Sequence, residues 1–282
     1  MRGGDTMKRL LAPLLIALAA SAVWGQNPTG FDNIAVGDQQ LIDLHALRCD
    51  WWDDFLGDVI QDEYTLLNGS DAQAIDPAII AGSQYGEVRL TSGDATPNAT
   101  VNSSAFVLGR HWRLDQGDND VPRNLTVFSC RLAIQTQVTS TEVFVGLTDS
   151  IANEAPATLS GTTFTTTASD CIGFLYDADA TTDTWRMVGV DTDVDAMTSA
   201  TSNTGTSPTA GTYDILTFIA DNDGIVTYYI NGVEEGILSA ACSADVLLTP
   251  VVYVNGATSA NAAASVSESV DVDYIYVGSD RD

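Results

Sequence analysis

Residues 213–232 read Tyr-Asp-Ile-Leu-Thr-Phe-Ile-Ala-Asp-Asn-Asp-Gly-Ile-Val-Thr-Tyr-Tyr-Ile-Asn-Gly. Two runs rich in β-branched and aromatic residues are separated by Asp221-Asn222-Asp223-Gly224. Gly and Asn tolerate the positive φ of tight turns, so this is the signature of a β-hairpin. The same grammar recurs in both directions. Asn124 to Gln135, Glu142 to Leu147, Cys171 to Tyr176, Trp185 to Val190, Val246 to Val254 and Val270 to Val277 are short, β-rich and bounded by turn formers. No segment after residue 50 carries a sustained 3.6-residue apolar stripe, and strands do not alternate with helices. The fold class is therefore all-β, an antiparallel sandwich of the jelly-roll type. The Thr/Ser/Gly/Ala-rich stretches 156–169 and 196–211 are expected to be long surface loops.

A chain of 282 residues that is 45% apolar can build one large β domain with a packed core. Its charge is extreme: 38 acidic against 11 basic residues give −27, and 31 of the acids are Asp. Beyond residue 25 there is no lysine and the net charge is −29. Nucleic acid is excluded as a partner, because binding it needs a clustered basic face. Such a chain repels itself at low salt and tolerates high salt or divalent cations.

At the N-terminus, Met7-Lys8-Arg9 precedes the 13-residue apolar run Leu10 to Ala22, the layout of a secretory signal with cleavage near Ala22 or Gly25. The run is shorter than the roughly 20 residues a membrane span needs. The competing reading is an uncleaved apolar helix buried in an assembly. The organisation expected is a signal-like segment 1–25, an extended lead-in 26–50 with one short helix over Gln39 to Leu47, and a domain over 51–282. An exported chain would be extracellular, with no membrane contact after signal removal. Cys49, Cys130, Cys171 and Cys242 lie too far apart for a zinc knuckle or a redox pair. Export would permit up to two disulfides in any of three connectivities, and four buried thiols are the alternative.

Nucleophilic triads need a histidine beside the nucleophile, and only His45 and His111 exist. Glycoside hydrolysis needs two facing carboxylates. In glucanases built on such sandwiches these come from one strand bearing Glu-x-Asp-x-x-Glu, a pattern that none of the seven glutamates begins; Glu268-Ser-Val-Asp271-Val-Asp273 has the wrong spacing. Calcium is the more natural ligand for carboxylates on turns. Asp191-x-Asp193-x-Asp195 imitates an EF-hand start but lacks its glycine and its bidentate Glu, whereas Asp177, Asp179 and Asp183 form a candidate calcium cluster. A solvated acidic turn is the competing reading for each cluster.

Trp51-Trp52-Asp53-Asp54-Phe55-Leu56-Gly57 opens the domain, Glu142 to Asp149 and Gly173 to Asp177 occupy its middle, Asp221 to Gly232 follows, and Val270 to Val277 closes it. In this order the pieces resemble the concanavalin A-like, laminin G-like jelly roll, particularly its versions in structural proteins of tailed bacteriophages. The signal-like N-terminus departs from the phage pattern. The resemblance implies that the first and last strands pair. That pairing would gather Asp53, Asp54, Asp271 and Asp273 into a second candidate calcium site. Members serve as glycan-binding modules, as adhesion or virion-surface domains, or as glucanases and lyases. With the catalytic strand motif missing, the expectation is a non-catalytic structural or adhesive module on a virion or extracellular surface assembly, not an enzyme. Its partners would be glycans, other subunits or copies of itself in a homo-oligomer. The alternatives are a soluble secreted lectin, stacking sugars on Trp112 and Trp185 with Tyr228 and Tyr229 as further rings, and an exported polysaccharide hydrolase or lyase.

Overall fold

The computed structural model describes residues 33–36, 40–43, 49–56, 60–70, 74–83, 86–93, 103–109, 112–114, 125–257 and 267–279, with backbone pairing alone up to Asp50. Its strands are β1 (Asn33–Val36), β2 (Gln40–Asp43), β3 (Cys49–Asp53), β4 (Tyr64–Asn68), β5 (Ile75–Ile79), β6 (Val88–Thr91), β7 (Ser104–Leu108), β8 (Leu125–Ile134) and β9 (Thr141–Thr148). There follow β10 (Ala157–Ser160), β11 (Thr163–Thr166), β12 (Cys171–Asp177), β13 (Arg186–Asp191), β14 (Val194–Asp195), β15 (Asp214–Asp221), β16 (Val226–Ile230), β17 (Val233–Leu238), β18 (Thr249–Gly256) and β19 (Ser269–Ser279). Sheet I runs β14-β13-β12-β9-β18-β7-β4, and sheet II runs β17-β16-β15-β8-β19-β6-β5 with β3 also on β19. All pairings within them are antiparallel. The all-β antiparallel sandwich is thus the fold.

Turn chemistry closes the strands where the sequence places it. Asp221 Oδ1 accepts the N–H groups of Asp223 and Ile225 at 3.0 and 2.9 Å. Gly224 sits at φ +72°, and a Cβ there would lie 2.7 Å from the Cys242 carbonyl oxygen, so only glycine fits. Asn231 and Gly232, at φ +53° and +81°, make the two-residue turn into β17.

Strand alternation then sorts the side chains. Phe174 of β12 meets Tyr228 of β16 edge-on at 5.3 Å, which identifies the inner faces. Val143, Val145 and Leu147 share the Phe174 face of sheet I, and Phe128 stacks on Phe218 at 5.0 Å in sheet II. These residues are fully buried. Cys130, Cys171 and Cys242 are buried free thiols, and burial raises the pKa of each.

Trp51, Trp52 and Asp53 pair with Val277, Tyr276 and Ile275, as the resemblance implied. Two expectations change. Gln40–Asp43 is not helical but a strand paired with Asn33–Val36; four residues in extended register offer no room for a helical turn. Residues 156–169 are not an open loop, because β10 and β11 form a hairpin within them and bury Ala157 and Leu159 completely. The signal-like residues 1–25, His45 and His111 lie outside the described residues. Among the described residues, no helix is long and apolar enough to cross a membrane.

Candidate active site

On the face of sheet I turned away from sheet II, three strands place polar side chains in one register row. Glu142 of β9 stands opposite Asp177 of β12 on one side and Asn255 of β18 on the other. Directly opposed residues of an antiparallel pair hold their Cβ atoms about 4.5–5.5 Å apart. The neighbouring positions of this outer face are buried and mostly apolar: Phe144, Leu175, Val251 and Tyr253 surround the row, with Thr148, Thr249 and Arg186 also on this face. Gly146 and Gly173 face each other here, and a Cβ on Gly173 would come 2.4 Å from the Val145 carbonyl oxygen. No acidic side chain fits at that point of β12.

A roof covers the Asp177 end of the row. In the β10–β11 hairpin the Leu159 N–H donates to Asp177 Oδ2 at 2.8 Å, and the Asp179 N–H donates to Asp177 Oδ1 at 2.9 Å. Gly161 N–H donates to the Asp179 carbonyl, and the Gly161 carbonyl accepts Thr181 N–H, at 2.8 and 2.9 Å. Glu142 and Asp177 are only 2% and 4% exposed, and Glu142 Oε1 has no hydrogen-bond partner. Burial, reinforced by the charges of Asp177 and Asp179, holds the Glu142 carboxyl well above the ordinary range. Burial also pushes Asp177 up to about 6, against the two backbone N–H groups that favour its charged form. No cation offsets either group among the described residues. Arg186, two registers away on β13, spends its guanidinium on the carbonyls of Ser199 and Thr182. Two neighbouring carboxyls pushed above their usual range are the raw material of general acid–base chemistry.

The site residues expected from sequence are placed differently. Asp271 makes two bonds to Arg89 at 2.6 and 2.7 Å, and Asp273 pairs with Arg131. Asp53 is buried with Oδ1 on the Phe55 N–H, while Asp54 bonds the Leu56 N–H at 3.4 Å and lies close enough to Asp273 to raise it. Asp183 is exposed, and Asp177 has committed its oxygens to backbone donors. Among the described residues no three Asp, Glu, His or Cys side chains converge on a point that could hold a metal ion. The stacking rings are unavailable: Trp185 is fully buried with its Nε1 on Asp214, Trp112 is 3% exposed, and Tyr228 and Tyr229 are buried. Rings on strands of a sandwich point into its layers.

No family model matches the sequence, and no curated protein matches it. Solved structures do match in fold. LamA from Z. galactanivorans, in complex with laminaritriose and laminaritetraose, aligns with a TM-score of 0.54 at 7% identity over 82% of this chain and 99% of that one. A β-1,3-1,4-glucanase (lichenase) from a mouse hindgut metagenome aligns with a TM-score of 0.52 at 8% identity over 81% and 98%. The Bacillus licheniformis β-glucanase gives 0.51 at 12% over 81% and 97%. The chain therefore has the concanavalin A-like β-sandwich fold of these glucanases.

These findings correct the expectation of a non-catalytic structural or adhesive module. The matched structures named above are glucanases, and none of them is a phage or virion protein. Two facing carboxylates need not come from one strand: here two adjacent strands place one each in the same register row. Glu142, passed over because it begins no Glu-x-Asp-x-x-Glu run, sits second in its strand and Asp177 ends its own. Only the register of β9 against β12 joins them.

Proposed function

We propose that the protein is a polysaccharide hydrolase whose acid–base pair is Glu142 and Asp177. The observation that carries this reading is the pair itself: two buried carboxyls in direct cross-strand register, without a cation, on the outer face of a glucanase-like sandwich. Glu142, held protonated, is the general acid that protonates the glycosidic oxygen. Asp177, charged above about pH 6, is the nucleophile or base. Opposed Cβ atoms about 5 Å apart fit the short carboxyl separation of retaining enzymes better than the wider gap of inverting ones. The neighbours' ligands and names suggest β-1,3 and mixed-linkage glucans as first substrates. The basic, then apolar, stretch Met7 to Ala22 supports export, where such polymers are met.

The test is release of reducing ends from laminarin and lichenan by the full chain and by Glu142→Gln and Asp177→Asn. Each substitution should lower the rate by about 10²–10⁴-fold. Absence of turnover in the wild type, or turnover untouched by both changes, removes the reading.

A further inference from the structure

The roof over Glu142 and Asp177 has an unusual construction. β10 and β11 pair only with each other and form a two-stranded sheet outside both layers of the sandwich. The hairpin is fastened to the turn after β12 through the backbone of Gly161, Asp179 and Thr181, and to the sheet through the carboxyl of Asp177. Its apolar contribution comes from Ala157, Leu159 and Phe164, which join the main core, whereas Ser160, Thr163 and Thr165 are exposed. The hairpin sits on the Asp177 carboxyl, and both carboxyls are closed to solvent in this arrangement.

We propose that the β10–β11 hairpin is a lid that admits glycan to the Glu142/Asp177 pair, shut while both carboxyls hold their protons and opening when Asp177 ionises. The glycan as visitor rests on the hydrolase reading; the movement does not. The direction follows from linkage. Under the lid both carboxyls are desolvated and face each other, so closure favours the protonated forms. Opening returns Asp177 to water, where it ionises readily. Closure is therefore strongest in acid and weakens as pH rises through about 6, where Asp177 loses its proton.

The charged and titratable groups around the pair agree with this assignment. Residues 157–166 contain none. Asp179 and Asp183, in the turn after β12, raise Asp177 further, and Tyr253 of β18 is itself raised by burial and by Glu142. Arg186 is held by two carbonyls. Nothing positive is placed to keep a doubly charged pair under the roof among the described residues.

Amide hydrogen exchange of the full chain, followed by mass spectrometry from pH 5 to pH 8 and corrected for intrinsic exchange, reads the lid without substrate. Protection of the 157–166 amides should fall by up to about tenfold per pH unit for each proton released, while β8 and β15 peptides stay protected. Asp177→Asn keeps an acceptor for the Leu159 N–H but cannot ionise, so it should flatten the profile; Glu142→Gln should reduce its slope. Constant protection of 157–166 in the wild type overturns the proposal, as does a fall that persists unchanged in both variants. Failure to cleave any glycan, with the exchange profile intact, would remove the hydrolase and leave the lid.

Discussion

The two outer faces of the sandwich treat their carboxylates in opposite ways. On sheet II, Asp271 and Asp273 stand beside Arg89 and Arg131, whose side chains are 45% and 36% exposed, and Arg131 also lies over the Tyr213 ring at 4.1 Å. On sheet I, Glu142 and Asp177 are as buried as Asp271 but stand opposite each other instead of an arginine. Few arginines are available for so many acids, so where they are spent is informative. They neutralise the terminal strands, which must pair for the sandwich to close, and leave the β9/β12 row uncompensated. A carboxyl with a cation beside it is a structural tie. One deprived of both water and cation is a titrating group near neutral pH.

The largest difference between the two faces should appear in the pH dependence of stability. Asp177 titrates higher in the folded chain, at about 6, than its unfolded value of 3.8, so between those values the folded state holds the extra proton. Its contribution is full in acid below the unfolded value and is lost as pH rises through about 6, a swing of up to about 3 kcal/mol. Urea titrations at pH 4 and pH 7 should show wild type losing that much relative to Asp177→Asn. A wild type and an Asp177→Asn variant that fall in parallel would break the contrast.

A smaller effect separates the single substitutions at pH 7. Asp271→Asn weakens the two-bond pair with Arg89 and should cost about 1 kcal/mol, because the partly exposed arginine recovers part of its loss from water. Glu142→Gln removes a buried acid that has no cation and should raise stability slightly. A double-mutant cycle of Arg89→Ala with Asp271→Ala should give a coupling of about 1 kcal/mol. If Glu142→Gln destabilises more than Asp271→Asn, the two faces are not as different as their partners suggest.

The smallest expected effect is a null difference between salts. At a net charge of −27, screening should stabilise the fold, and sodium chloride should raise the Tm. With Asp271 and Asp273 taken by arginines, calcium at equal ionic strength should raise it equally. A clear excess for calcium, abolished by Asp273→Asn, would show that the sheet II carboxylates are not closed by their arginines.

Much of the architecture was legible in the residues because strand and turn signals are local. The Asp221–Gly224 turn, Val270 to Val277 as a strand and the β-rich run at Glu142 each follow from neighbours within a few positions. The hairpin at Ala157–Thr166 was missed because Thr, Ser and Gly dominate it, and only Leu159 and Phe164 flanking Gly161 mark its two strands. The burial of Trp112 and Trp185 was open for the same reason, since composition tells that a ring is present but not which layer it enters.

The amino-acid order alone established the β-sandwich, its acidity and the scarcity of histidine, all of which depend on residue type and short-range spacing. It did not establish the pair. Glu142 and Asp177 are 35 positions apart, and their meeting depends on the register of β9 against β12, where a shift of one residue would turn one of the two carboxyls to the other face of the sheet. Whether an Asp is a salt-bridge partner or a proton carrier depends in turn on burial and on which arginine stands nearby. Both are properties of the packed molecule, because charge interactions act through space and not along the chain.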